Sequence, residues 1–222
     1  MKRIILCIIL AQMLFASCQS RPERLAPGIV LGQETIIRPY TIIDHKNRAS
    51  GGSIPEWVNL WLNSNIQDIE ALSAFNNRYV FISRNEGVQL NPLHLWREGF
   101  SPELDFPRLA AARIERRFAS TTTHPDEEFG TFYEALIRAA SDASWLGTVS
   151  EDDFWIRRRY TPDEEFGQEL ETWEFLILLT IDKRLFASQI EDIFDKVNPV
   201  PSPTAAQIEA ANRVKAGFFN GF

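Results

Sequence analysis

The sequence predicts an α+β fold, a small, mainly antiparallel sheet with helices packed on one face and a flexible tether ahead of it. Three observations carry that prediction. The runs RYVFIS (Arg78 to Ser83), DDFWIRRRY (Asp152 to Tyr160) and ETWEFLILLTID (Glu171 to Asp182) read as strands. Segments between and after them place apolar residues at helical spacing. The chain ahead of Ile54 carries RPERLAPG, RPY and NRASGGS, a mixture of Pro, Gly and polar residues with little helical period.

The first residues, MKRIILCIILAQMLFASCQS, have a different character. Lys2 and Arg3 form a cationic start, and Ile4 to Phe15 is an apolar run of 12 residues broken only by Gln12. As a helix it would span ~18 Å at about 1.5 Å per residue, short of the ~30 Å hydrocarbon core. It fits the apolar region of a signal peptide, with Ala16 and Ser17 leading into Cys18. The stretch LFASC resembles the lipobox of bacterial lipoproteins, in which the cysteine thiol receives diacylglycerol, cleavage follows before that cysteine, and its new amino group is acylated. Phe15 departs from the aliphatic residue usual at that place, a relaxation found in spirochaete lipoproteins.

Cysteine usage points the same way. The chain has two cysteines, Cys7 and Cys18, and Cys7 lies in the segment to be removed. The mature chain then holds one thiol, at its first position, and no disulfide framework. Each buried CH₂ contributes ~0.8 kcal/mol, so one acyl chain anchors marginally while two or more hold firmly. Removing residues 1–17 takes away two cations and moves the formal charge from −7 to −9. So acidic a chain lacks the clustered cations that nucleic acid or anionic headgroups require, which makes the expected membrane link covalent. With 45% hydrophobic residues the remainder is ample for one domain.

Taken in order, TIIRPYTII (Thr35 to Ile43) is β-branched and reads as an edge strand inside the tether, with Pro39 confining it to an edge or bulge. IPEWVNLWL sets Trp57, Leu60 and Trp61 at helical spacing. The strand from Arg78 is ended by RNEG. In SPELDFPRLAAARIERRFAS, Ser101 and Pro102 read as cap and first helical residue, and Ala110, Ile114 and Phe118 form one stripe. In the next helix Phe129, Phe132, Tyr133, Leu136, Ile137 and Ala140 share a side. The last strand sets Trp173, Phe175, Ile177, Leu179 and Ile181 on one face and Leu176 and Leu178 on the other, so its centre is expected to be covered on both sides. Asp182 caps a helix carrying Leu185, Phe186, Ile190, Ile193 and Phe194. After NPVPSP, Thr204 and Gln207 form a capping box for a last helix with Ile208, Ala211 and Phe218. The expected domains are therefore a signal peptide (1–17), a lipidated N-terminus and tether (18–53), a globular domain (54–198), and a Pro-rich linker with a C-terminal helix docking on it (199–222).

The succession IPEWV, YVFIS, RLAAARIERRF, DFWIRRR and TIDKRLFASQI resembles the small bacterial surface lipoproteins whose relatives include flagellar outer-membrane disc lipoproteins. The likeness spans Ile54 to Val197. It departs at VQLNPLHLWREGFSPELDF, where that family's first strand runs through small residues straight into the Ala-rich helix. The resemblance implies an α+β lipoprotein without catalytic residues, engaged in envelope or surface assembly.

One heptad recurs: HPDEEFG (His124 to Gly130) returns as TPDEEFG (Thr161 to Gly167). A metal reading would recruit Asp126, Glu127, Glu128, Asp163, Glu164 and Glu165 as hard oxygen ligands, but calcium loops space their ligands at alternate positions around a glycine. The plainer reading is a helix start, with Thr161 or His124 at the cap, Pro at the first position and carboxylates complementing the helix dipole. Surface ion pairs with Arg116, Arg117 and Arg157 to Arg159 are a second expected role. His45, His94 and His124 lack metal spacing, and Asp152 and Asp153, adjacent on a strand, must point to opposite faces. Trp145, Trp155 and Trp173 read as core packing rather than a ligand pocket, and Phe218, Phe219 and Phe222 as a docking cluster.

No catalytic, cofactor-binding or metal residue is therefore expected, and Cys18 is the lipidation site. The expected function is that of a non-catalytic lipoprotein, exported and anchored to a bacterial membrane at a periplasmic or surface face, working with other envelope proteins. The alternatives are a secreted metal-dependent hydrolase built on the PDEEFG carboxylates and a ligand-binding lipoprotein.

Overall fold

The structure is a computed structural model, and it describes residues 39–63, 65–121, 127–162 and 169–197, with isolated positions between 205 and 216. The expected signal peptide, Cys18, the caps Thr204 and Gln207, and Phe218, Phe219 and Phe222 lie outside the described residues. Among the described residues, β1 (Tyr40–His45), β2 (Arg78–Gly87), β3 (Val149–Tyr160) and β4 (Leu170–Asp182) form one antiparallel sheet in the order β1-β3-β4-β2. Six helices accompany it: α1 (Glu56–Asn63), α2 (Ile66–Glu70), α3 (Leu90–Glu98), α4 (Pro102–Thr121), α5 (Glu127–Asp142) and α6 (Lys183–Val197).

The composition of β4 explains the layering. Every residue from Thr172 to Ile181 except Trp173 is buried. Its Phe175, Ile177, Leu179 and Ile181 join Tyr79 and Phe81 of β2 against Phe106, Ala110 and Ile114 of α4, Leu136 and Ala140 of α5, and Phe186 and Ile190 of α6. Aromatic rings lock this layer, with Phe81 and Phe106 edge to face at 4.6 Å and Trp145 stacked on Phe186 at 4.9 Å. Leu176 and Leu178 point the other way and pack with Val80, Ile82, Phe154 and Ile156 against Trp57, Val58 and Ile69 of α1 and α2. The α+β class and antiparallel sheet are as the sequence predicts. A second, smaller helical layer is added to the expected single one, because the aliphatic residues on the back of β4 also have to leave water.

Other differences have local causes. β1 is the edge strand read within Thr35 to Ile43; it begins just after Pro39, slips register between Ile42 and Asp44, and brings the sheet into the span read as tether. β2 continues through RNEG, pairing Arg84 to Gly87 with Leu176 to Trp173, since an edge strand tolerates charged side chains. α3 occupies part of the stretch that interrupts the family likeness; its Pro92 falls in the first turn, where the backbone N–H lacks a helical acceptor anyway. Leu185, expected on the buried stripe of α6, is 36% exposed. Asp182 caps α6 as expected, its Oδ1 accepting from the N–H groups of Arg184 and Leu185 at 2.9 and 3.0 Å. Asn65 and Asp68 form a capping box at α2 that the sequence reading did not include. Gly147, between α5 and β3, has φ of 76°, and a Cβ there would lie 2.4 Å from Leu185 Cδ2.

The outer side of β2 is closed by side chains. Val80 donates its N–H to Glu70 Oε1 at 2.8 Å, and its carbonyl accepts from Arg113 Nη1 at 3.1 Å. Arg113 and Glu70 are themselves paired through two bonds of 2.7 and 3.3 Å, and the guanidinium lies 4.3 Å from the centre of the Tyr79 ring. Glu70→Ala should therefore destabilise the domain by about 2–3 kcal/mol, since it leaves a half-buried guanidinium and an edge amide unpaired. Arg113→Ala should cost a similar amount. Urea unfolding followed by tryptophan fluorescence measures both, and the double substitution should cost less than the two single losses added.

Candidate functional site

The repeated heptad does not assemble a site among the described residues. In the first copy Glu127 opens α5, so the sequence there does start a helix; His124, Pro125 and Asp126 lie outside the described residues. In the second copy Thr161 and Pro162 are exposed, and Asp163, Glu164 and Glu165 lie outside the described residues. Among the described residues no group of three or more His, Cys, Asp or Glu side chains is placed to hold a metal ion. His45 stacks on Phe154 at 6.0 Å and His94 meets Phe175 edge on at 5.5 Å, contacts on opposite faces of the sheet. Asp152 and Asp153 diverge as their positions require. Asp152 Oδ2 accepts from Trp57 Nε1 at 3.0 Å, while Asp153 accepts from Lys46 Nζ at 2.5 Å and Arg97 Nε at 2.8 Å.

Trp145 is buried, and its indole N–H donates to the Ala140 carbonyl at 3.0 Å. Trp155 and Trp173 are half-buried and meet at 5.1 Å, with the Arg157 guanidinium 5.0 Å from the Trp173 ring. Arg157 and Arg159 both bond Glu171, and Arg158 bonds Glu174. The partners of the arginine triplet among the described residues are thus carboxylates across the β3–β4 ladder. Arg159 and Glu171 lie directly opposite, and Arg158 and Glu174 are diagonal neighbours.

Two residues along β4 from Leu176, the apolar second face gives way to a polar cluster. Glu174 is completely buried, Thr172 is 7% exposed and Arg158 8%. Arg158 Nη2 donates to Glu174 Oε2, and Arg84 Nη1 stands 3.6 Å from Oε1, which accepts no hydrogen bond. Glu86, opposite Glu174 on β2, accepts from Thr172 Oγ1 at 2.6 Å and Tyr160 Oη at 3.4 Å. The Arg158 guanidinium lies 4.6 Å from the centre of the Tyr40 ring on β1. Burial pushes the Glu174 carboxyl above the usual glutamate range, against the pull of Arg158 and Arg84 and with help from Glu86. Burial works against the charge on Arg158, yet Glu174 beside it leaves its affinity for the proton raised. Arg158 thus holds its charge through Glu174, while burial weakens the hold of Glu174 on its own.

This cluster went unread in the sequence, although a signal was present. Period-two alternation puts Glu174 in phase with Leu176 and Leu178, and Arg158 in phase with Phe154 and Ile156, so each charge occupies an inward position. What the cluster offers chemically is electrostatic: a charged pair held out of water beside the hydroxyls of Thr172 and Tyr160. No protein-family model, curated protein or solved structure matches the chain.

The Asp153 site generates a prediction of its own. Burial opposes ionisation there, but the hydrogen bonds and charges of Lys46 and Arg97 outweigh it and hold the carboxyl below the usual aspartate range. A carboxyl lowered in this way contributes stability above its unfolded pKa and loses it as pH falls through the folded value. Asp153→Asn should lower stability near neutral pH by about 1 kcal/mol and leave it nearly unchanged in strong acid. Urea midpoints of both proteins across the acid range measure the difference.

Proposed function

We propose that the protein is a non-catalytic lipoprotein, exported and held to a bacterial membrane by acyl chains on Cys18. In this reading it takes part in envelope or surface assembly by associating with other envelope proteins. The observation that carries the proposal is the opening of the chain: two cations, an apolar run of 12 residues, and small residues leading directly into the single cysteine of the mature protein. The net acidity supports a covalent rather than electrostatic link to the bilayer, because anionic headgroups would repel it. Among the described residues no helix is long and apolar enough to cross a membrane, which leaves the cysteine as the proposed means of attachment.

Detergent phase partitioning of the full chain expressed in a bacterium tests the anchor. The wild type should enter the detergent phase, take up labelled palmitate and begin at Cys18 by intact mass. Cys18→Ser should remain in the aqueous phase without label. A wild type that stays aqueous, or that carries a free thiol, overturns the proposal. Crosslinking in intact cells should then recover envelope proteins with the wild type and lose them with Cys18→Ser.

A further inference from the structure

On the second face of the sheet the ionised Glu174 is held by little. Oε2 accepts from the Arg158 guanidinium, Oε1 accepts nothing, and Arg84 approaches only to 3.6 Å with a side chain that is 64% exposed. Glu86 stands directly across the ladder, so a second negative charge pushes against the first. Arg158 is nearly buried and its Nε has no hydrogen-bond partner; Glu174 is the carboxylate it bonds, and Tyr160 is its other hydrogen-bonding neighbour. Its guanidinium also reaches the far edge of the sheet. There it packs against Tyr40, whose ring meets Tyr160 edge on at 5.7 Å. Arg158 thus ties β4, the centre of the sheet, to β1, its shortest strand.

We propose that Glu174 is a proton-operated latch on β1. While ionised it keeps Arg158 against Tyr40; when it takes up a proton, Arg158 swings out to water and β1 detaches from the edge of β3. The inference concerns the folded domain and holds whether or not Cys18 carries lipid.

The sign follows from linkage. With Arg158 in place Glu174 binds its proton less tightly than with Arg158 withdrawn, so falling pH favours the withdrawn arrangement. Because burial raises the Glu174 carboxyl, the change falls at higher pH than an ordinary glutamate would give. For the domain as a whole the same raised carboxyl makes protonation favour the folded state over the unfolded one, so the event is local. β1 is where it should appear: six residues, a register slip between Ile42 and Asp44, and one neighbouring strand. The charged and titratable groups on this face include Tyr40 and His45 of β1, Arg84 and Glu86 of β2, and Asp152, Arg158 and Tyr160 of β3, while Arg78 and Glu151 pair with each other at its far end beside Thr180. Protonating Glu86 would relieve the repulsion and strengthen the latch, and Asp152 is engaged with Trp57. His45 is the competing trigger, since it lies on β1 itself.

Hydrogen exchange of the full chain, read by mass spectrometry and corrected for intrinsic rates, tests the latch. The peptide covering Tyr40 to His45 should lose protection about tenfold or more between about pH 8 and pH 4, while peptides of β4 keep theirs. Glu174→Gln should show the low protection at both pH values. Unchanged protection of β1 in the wild type overturns the proposal, and so does a pH-dependent loss that persists in Glu174→Gln, which would assign the trigger to His45. Should Glu174→Gln fail to fold, the pair Arg158→Met with Glu174→Leu replaces the buried charges by apolar groups. It should exchange at β1 without pH dependence, and a dependence as large as that of the wild type would overturn the latch.

Discussion

The constraint on which the structure rests is that β4 cannot show either side to water. Phe175 to Ile181 are buried without interruption, which an antiparallel strand achieves only in the interior of a sheet covered on both faces. Its place between β3 and β2 follows, and so do the two helical layers of unequal size. Burying one such aliphatic side chain is worth about 1.5–3 kcal/mol, so this one strand outweighs any single polar contact in the domain. The polar cluster around Glu174 is best understood against that background. It sits at the boundary where the apolar run stops, and it shares the exclusion of water that the run creates.

The two edges left by this order are protected in different ways. β2 lies beside α2 and α4, and Glu70 and Arg113 occupy the outward N–H and C=O of Val80, so a foreign strand finds no free pair there. β1 instead is short, follows a proline and is kinked by its register slip, and Arg48 Nη1 donates to the Ile43 carbonyl. One edge is therefore blocked at Val80 and the other is short and kinked. The difference comes from a few residues, since both strands make ordinary antiparallel ladders with their inner neighbours.

Much of this was legible in the sequence because it depends on local period. The alternation in ETWEFLILLTID, the stripe of Ala110 and Ile114, and the Asp182 cap each report on a few neighbouring residues, and each appears in the fold. What escaped depends on partners distant in sequence. α3 has one fully buried side chain, Leu93, so its apolar pattern was too thin to declare a helix. Glu174 and Arg158 are 16 residues apart and meet only after β3 and β4 have paired. The sequence places the arginine triplet near the carboxylates of the second heptad copy, which lie outside the described residues, and the described ladder offers it Glu171 and Glu174. Antiparallel pairing sets the next strand directly beside the arginines, a contact that proximity along the chain does not reveal.

The buried pair also answers a problem created by the aliphatic strand. A slip of β4 by two residues against β3 in one direction would return every side chain to its own face, with Leu176 in the place of Leu178 and Ile177 in that of Leu179. Hydrophobic burial alone barely distinguishes that arrangement from the native one, because the exchanged residues are nearly equal in volume and apolar area. The charges do distinguish it. Native register sets Glu174 opposite Ile156 and diagonal to Arg158, and this slip would set Glu174 opposite Phe154, leaving a carboxylate and a guanidinium out of reach of each other in surroundings that exclude water. An uncompensated buried charge costs about 3–5 kcal/mol, more than the aliphatic exchange could recover. A pair that contributes little to stability beyond what an apolar substitute would give can still exclude that register. That is a physical reason for a fold with so uniform a central strand to keep ions beside it.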